Sequence, residues 1–403
     1  EKTDRLFELA EKWRLPVIYF AESGGGRPGD TDRVAGGGVF NTRAFALQGR
    51  LSALVPQIGI TNGRCFAGAA VLLGCCDVII ATEGSTIGIG GPAMIEGGGL
   101  GVYTPEEVGP VSMQGPSGVI DILVKDEAAA VAAARKYLAY FQGTLPTWAC
   151  ADQRLLRNVI PENRLRVYDI RKVIETLVDT GSALELRAAF GIGMVTMLAR
   201  IEGRPVGIIA NNPKHLGGAV DSAAADKAAR FMQLCDAYDI PIVVLADTPG
   251  NMVGPDDEKT GLVRHCCRMF VPGPNLTVPV FTVVLRKGYG LGIMAMAGGS
   301  SQTSFFTVSW PTGEFGGMGL EGSVKLGYRK ELEAVEDLVE RQAMYEAMVA
   351  KAYEHGKAIH TAMGFDFDEV IDPADTRRRI VAGLESTPAK PRDGKKRPYI
   401  DTC

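Results

Sequence analysis

The sequence predicts an α/β protein made of two tandem homologous units, residues 1–190 and 191–403, the second with a helical extension. Three observations predict it. A stretch of about 25 residues recurs at constant offset. Each copy passes from a helical apolar period to an unbroken apolar run, as a helix followed by a buried parallel strand would. Glycine, 50 of 403 residues, collects just after those runs.

The repeat fixes the elements in order. Leu15-Pro16-Val17-Ile18-Tyr19-Phe20-Ala21-Glu22-Ser23 aligns with Ile240-Pro241-Ile242-Val243-Val244-Leu245-Ala246-Asp247-Thr248, and Gly25 aligns with Gly250. Lys2 and Arg5 fall on Lys227 and Arg230. Each copy reads as an amphipathic helix (2–13, 227–238), a strand introduced by proline, and a polar turn with glycine. A second match lies downstream. Gly63-Arg64-Cys65-Phe66-Ala67-Gly68-Ala69 aligns with Arg286-Lys287-Gly288-Tyr289-Gly290-Leu291-Gly292. In both, a strand (57–61, 278–285) runs into a helix start made of small residues. Ahead of the second copy, 194–201 and 205–211 read as a hairpin turning at Glu202-Gly203-Arg204. The first copy has no counterpart, so a leading segment is expected ahead of Glu1. Helices are expected after Gly327.

Composition narrows the function classes. With 46% hydrophobic residues, 22% charged and a net charge of −4, the chain is neither disordered nor a nucleic-acid binder. No apolar run reaches the length of a membrane span. The basic clusters Arg377–Arg379 and Lys395–Arg397 read as solvated surface. The eight cysteines, two pairs of them adjacent (Cys75-Cys76, Cys266-Cys267), lack metal spacing and read as small buried residues of a reducing cytoplasm. None of the four histidines forms H-E-x-x-H, and no metal is expected.

The candidate chemistry lies at the two helix starts. A helix N-terminus carries unpaired N–H groups and positive partial charge. Small residues there let an oxygen approach, which makes an oxyanion hole from backbone alone. Gly68 with Ala69, and Leu291 with Gly292, are the candidate donors. Close packing of helix on sheet is the competing reading of the same glycines. There is no G-x-S-x-G elbow and no P-loop, and Gly88-Ile89-Gly90 is too short a match for a dinucleotide site. Backbone dipoles without a triad suit enolate formation from a thioester. On that reading Gly292→Val silences the protein and leaves its fold largely intact.

Asn62-Gly63-Arg64-Cys65-Phe66-Ala67-Gly68-Ala69-Ala70, followed by Cys76-Asp77-Val78-Ile79-Ile80-Ala81, resembles the crotonase superfamily signature. The duplicated form resembles the carboxyltransferase subunit or domain of biotin-dependent acyl-CoA carboxylases. Further matching segments are Val206-Gly207-Ile208 to Asn211-Asn212-Pro213, the turn Asp247-Thr248-Pro249-Gly250, Arg286-Lys287-Gly288-Tyr289-Gly290, Trp310-Pro311-Thr312 with Met318-Gly319, and Asp368 to Pro373 with Thr376-Arg377.

The resemblance implies two crotonase-like ββα-spiral units. It implies biotin as carboxybiotin on a carrier domain and a coenzyme A thioester as substrates, with no metal. Partner chains or domains would be a biotin carboxylase and a biotin carboxyl carrier. The site would lie between the first unit of one protomer and the second unit of another, in a ring of dimers. The location implied is the cytoplasm, or the mitochondrial matrix in a eukaryote. Gly68 and Ala69 would hold one carbonyl oxygen, Leu291 and Gly292 the other, with Gly25, Gly250, Asn251 and Met294 lining the substrates. Asn251 stands where many relatives carry an aromatic residue. Met294 is apolar where short-chain carboxylases often carry a polar residue, which makes a longer or branched acyl chain plausible. Arg64 is a weak phosphate candidate. The rival readings are a biotin-dependent acyl-CoA decarboxylase subunit and a non-catalytic ring scaffold.

Overall fold

A computed structural model describes residues 2–25, 42–388, 394–395 and 397–403. Gly26, the glycines at 36–38, and Lys396 lie outside the described residues.

The first sheet has four parallel strands, in the order β1 (Val17–Phe20), β2 (Gln57–Thr61), β4 (Val78–Thr82), β6 (Ile122–Val124). Two short strands, β3 (Arg64–Phe66) and β5 (Thr86–Gly88), pair in parallel as a spur off its end. Strands β2 and β4 are buried along their whole length, which their continuous apolar runs foretell.

The second sheet repeats this plan and enlarges it. Its order is β14 (Glu369–Val370), β12 (Phe306–Ser309), β11 (Val280–Tyr289), β10 (Ile242–Thr248), β9 (Arg204–Asn211), β8 (Met194–Ile201), β7 (Leu184–Leu186). Strands β8 and β9 form the expected antiparallel hairpin. The end of β11 pairs with β13 (Glu314–Gly316), the counterpart of the β3–β5 spur. Together the sheets give the crotonase-like arrangement expected from the sequence.

Three details differ from the sequence reading. The first helix, Lys2–Trp13, falls where expected, but its counterpart begins earlier, at Ser222, because the Asp221 carboxylate accepts from the Ala224 amide at 2.8 Å and caps it. Strand β11 continues to Tyr289, beyond the expected 285. The chain also joins the second sheet before residue 190. The helix Ile170–Leu177 lays Ile170, Val173, Ile174 and Leu177 onto the second sheet's core, and β7 pairs with β8. The repeat does not reach these residues, so it carried no signal for them.

The helix Ser222–Ala237 lies between the two units and is buried on nearly every side. Across that junction Arg230 Nη2 donates to the Asp77 carbonyl at 2.7 Å. Tyr238 Oη donates to the Asp77 carboxylate at 2.6 Å. The C-terminal residues bind both units: the Ile400 amide donates to Ser52 Oγ at 3.0 Å and the Asp401 amide to Gln233 Oε1 at 3.1 Å.

The expected solvated basic clusters are corrected in part. Arg377 is buried, donates to the Leu177 carbonyl at 2.7 Å and pairs with Asp179, while Arg397 Nε holds the buried Asp236 at 2.6 Å. Each faces a carboxylate that would otherwise be buried unpaired. Of the eight cysteines, all free thiols, Cys65, Cys76, Cys235 and Cys266 are buried, whereas Cys267 and Cys403 are exposed. No helix among the described residues is long and apolar enough to cross a membrane.

Candidate active site

In the first unit β3 ends at Phe66, and the next residue, Ala67, takes φ +56° and ψ −129°. That conformation is costly for any residue with a Cβ. It turns the chain sharply into the helix Gly68–Gly74. The Ala67 amide donates to the Gly88 carbonyl at 3.2 Å, and the first helical bond runs from Val71 to the Ala67 carbonyl at 3.1 Å. Among the described residues, the amides of Gly68 and Ala69 have no backbone acceptor.

The second unit repeats the geometry. Gly290, aligned with Ala67, has φ +55° and opens the helix Gly290–Met296. The amides of Leu291 and Gly292 again have no backbone acceptor among the described residues. The glycine turns correspond as well. The Gly25 amide donates to Ser23 Oγ at 3.1 Å and the Gly250 amide to Thr248 Oγ1 at 3.2 Å, with φ +90° and +128° at the two glycines.

In the second unit the turn and the helix start touch. A Cβ built on Gly292 would lie 2.7 Å from the Gly250 Cα and carbonyl carbon. The expectation that Gly292→Val leaves the fold intact is therefore corrected. Any side chain at 292 must displace backbone, so the packing reading and the oxyanion reading are both satisfied by the same glycine. Beside them, Asn251 pairs with Val220 in an isolated bridge, and its Oδ1 is buried with no hydrogen-bond partner among the described residues.

A cavity of about 1000 Å³ opens at the start of this helix. Gly290, Leu291 and Met294 line it at the helix, with Phe315, Leu320 and Phe367 among its apolar walls. Leu291 and Met294 are largely exposed in the single chain. Charged groups gather behind the helix start. Lys287 Nζ lies 2.8 Å from the buried Asp247 carboxylate, and burial lowers its pKa. Tyr289 Oη donates to Glu314 at 3.1 Å. Burial also pushes the Cys65 thiol up to about 12, which keeps it protonated and inert beside the first helix start.

The structure thus gathers Gly250, Asn251, Leu291, Gly292 and Met294 around one helix start. Gly25, Gly68 and Ala69 belong to the other, on the separate first sheet. Arg64 is paired with Glu106 at 2.9 Å on the surface. The sequence reading missed two residues. Ala67 carries no compositional mark of a left-handed turn, and only its alignment with Gly290 could have shown it. Asp247 was read as a turn residue, although an acid closing an otherwise apolar buried strand is itself a signal.

The two helix starts match in place and in backbone geometry, and comparison with known proteins gives the class of the fold that carries them. The carboxyl transferase domain model matches residues 1–399, and the chain belongs to that family of carboxyltransferases. It is 36% identical over 398 residues to the methylmalonyl-CoA carboxyltransferase 12S subunit of Propionibacterium freudenreichii subsp. shermanii, covering 94% of this chain and 74% of that subunit. The crystal structure of transcarboxylase 12S, described as a hexamer assembly with methylmalonyl-CoA bound, superposes with a TM-score of 0.84 at 32% identity, covering 98% of this chain and 78% of that one. A single-chain, multi-domain long-chain acyl-CoA carboxylase superposes with a TM-score of 0.88 at 54% identity over 94% of this chain. This chain spans only 37% of that protein's length.

Proposed function

We propose that this chain is the carboxyltransferase component of a biotin-dependent acyl-CoA carboxylase, transferring a carboxyl group from carboxybiotin to the α-carbon of an acyl-CoA. The observation that carries the reading is the matched pair of amide donors, Gly68 with Ala69 and Leu291 with Gly292, each presented by a left-handed residue at the same place in its unit. Carboxylation α to a thioester builds negative charge on the thioester oxygen. One pair of amides stabilises that oxygen, and the other holds the ureido oxygen of biotin.

The residues around the second helix start fit a ureido group, which offers a carbonyl acceptor and N–H donors. The Leu291 and Gly292 amides match the acceptor. The orphaned Asn251 Oδ1 matches a donor. Bound there, biotin supplies the carboxyl group and a base for the α-proton. The chain's own part is to orient both partners and to hold charge on two oxygens.

The exposure of Leu291 and Met294 supports a site completed by the first unit of a second protomer. Biotin carboxylase and carrier, as separate chains or as domains of one polypeptide, would deliver the carboxyl group. The likeness to a long-chain acyl-CoA carboxylase, together with the apolar cavity at Met294, supports a long acyl chain. The test is incorporation of labelled bicarbonate, with a biotin carboxylase and biotinylated carrier, into acyl-CoAs of increasing length. Carrier-dependent labelling that improves with chain length is expected. No labelling of any acyl-CoA would refute the reading.

A further inference from the structure

Strands β10 and β11 run in register from Ile242 opposite Val280 to Ala246 opposite Val284. The register then slips, and Thr248 pairs with Gly288. One residue of β10, Asp247, therefore faces three of β11: Leu285, Arg286 and Lys287. A bulge of this kind leaves backbone groups unpaired and bends the strand that carries it. Here the bend lies just ahead of Tyr289 and Gly290, so it sets the direction in which the helix Gly290–Met296 starts.

Asp247 fills the gap with its side chain. It is fully buried. Its Oδ1 accepts from the Lys287 amide at 3.1 Å, replacing the lost ladder bond, and from Lys287 Nζ at 2.8 Å. Its Oδ2 accepts from Tyr168 Oη at 2.9 Å and from Arg286 Nε at 3.2 Å and Nη2 at 3.1 Å. Arg286 in turn donates from Nη1 to the Arg166 carbonyl at 2.8 Å.

The first unit makes its bend differently. There the strand is interrupted, β2 ending at Thr61 and β3 beginning at Arg64, with Asn62 and Gly63 between. Glu22, aligned with Asp247, is exposed, and Arg64, aligned with Lys287, pairs with the exposed Glu106. A buried carboxylate with five donors is a feature of the second unit alone among the described residues.

We propose that Asp247 is the positioning residue that aims the Leu291 and Gly292 amides at their ligand oxygen. This rests on the carboxyltransferase reading above. Without the carboxylate, Arg286 and Lys287 lose their shared counter-charge and the bulge loses its substitute bond, so the helix start is no longer held in one direction. The amides act most strongly on charge that develops in the transition state, so the loss falls on kcat rather than on KM.

The experiment compares wild type with Asp247→Asn, assayed with biotin carboxylase and biotinylated carrier and followed by hydrogen exchange. A fall in kcat of about 100-fold is expected, the size typical of a lost oxyanion donor. KM for acyl-CoA should stay within about twofold. Exchange should quicken in peptides covering 286–293 and not elsewhere. A folded Asp247→Asn protein with normal kcat and unchanged exchange would overturn the proposal. If Asp247→Asn fails to fold, Tyr168→Phe, which removes one donor, decides: a fall in kcat at constant KM supports the role, and unchanged kcat defeats it. If wild type itself transfers no carboxyl group, the functional reading fails separately. Exchange at 286–293 in Asp247→Asn then supports the positioning role where it quickens and refutes it where it does not.

Discussion

Ala67 and Gly290 share a left-handed φ, +56° and +55°, Ala67 between the spur strand β3 and a short helix and Gly290 between the end of β11 and a short helix. Alanine does in the first unit what glycine does in the second, and it does so against its own steric preference. Replacing Ala67 by Gly should therefore raise the unfolding free energy by about 1 kcal/mol, although Ala→Gly changes usually cost stability. Gly290→Ala should lower it by about 1–3 kcal/mol, since a Cβ there lies 2.8 Å from the Gly317 carbonyl oxygen. Urea denaturation of both variants checks the pair. A normal Ala→Gly loss at 67 would show that the hinge is unstrained.

The second helix start tolerates less than the first. Gly292→Ala pushes its Cβ into the Gly250 backbone, whereas the equivalent residue, Ala69, already carries one. Gly292→Ala should lower both the melting temperature and carboxyl transfer, and Ala69→Gly should lower neither by much. Thermal unfolding beside a transfer assay separates them. An unchanged melting temperature for Gly292→Ala would mean that the turn at Gly250 yields freely.

Asn251 offers a buried acceptor that no described residue uses. Asn251→Ala should raise the KM for free biotin about tenfold, the equivalent of about 1.4 kcal/mol, and leave the KM for acyl-CoA unchanged. Steady-state kinetics with free biotin as the varied substrate measures this. An effect on acyl-CoA instead would put the thioester at this helix start.

Lys227 is buried, with its ammonium donating to the Phe190 carbonyl at 3.0 Å, and burial lowers its pKa to about 7. An unfolded lysine holds its proton to about 10.4. Between these values the unfolded chain binds more protons than the folded one, so this residue makes stability rise as pH rises from 7 toward 10. Lys227→Met removes that contribution. Its stability advantage over wild type should be largest near pH 7 and below, and should shrink at pH 9. Unfolding free energies of both proteins at pH 7, 8 and 9 give the comparison, and parallel curves would refute it.

Much of the scaffold was readable because the repeat is a physical constraint seen twice. The strand Gln57–Thr61, the helix Lys2–Trp13 and the hairpin of β8 and β9 follow from apolar period and turn residues alone. The helix starts at Gly68 and Gly290 followed from small residues after a buried strand. The role of 170–177 in the second sheet, the burial of Arg377 and the five donors on Asp247 did not follow. Each depends on residues far apart in the chain.

Lys2 and Lys227 mark the division. The sequence by itself determined that both lie on helices, as do Arg5 and Arg230, because local periodicity is written into each copy. Lys2 and Arg5 are exposed, on a helix that buries only Phe7 and Ala10. Lys227 and Arg230 are buried, on a helix clasped between the two units. Only the packing of one unit on the other decided that difference. Burial is a property of the whole assembly of elements, and the same side chain in the same local structure takes its charge state and its partners from what lies across the gap.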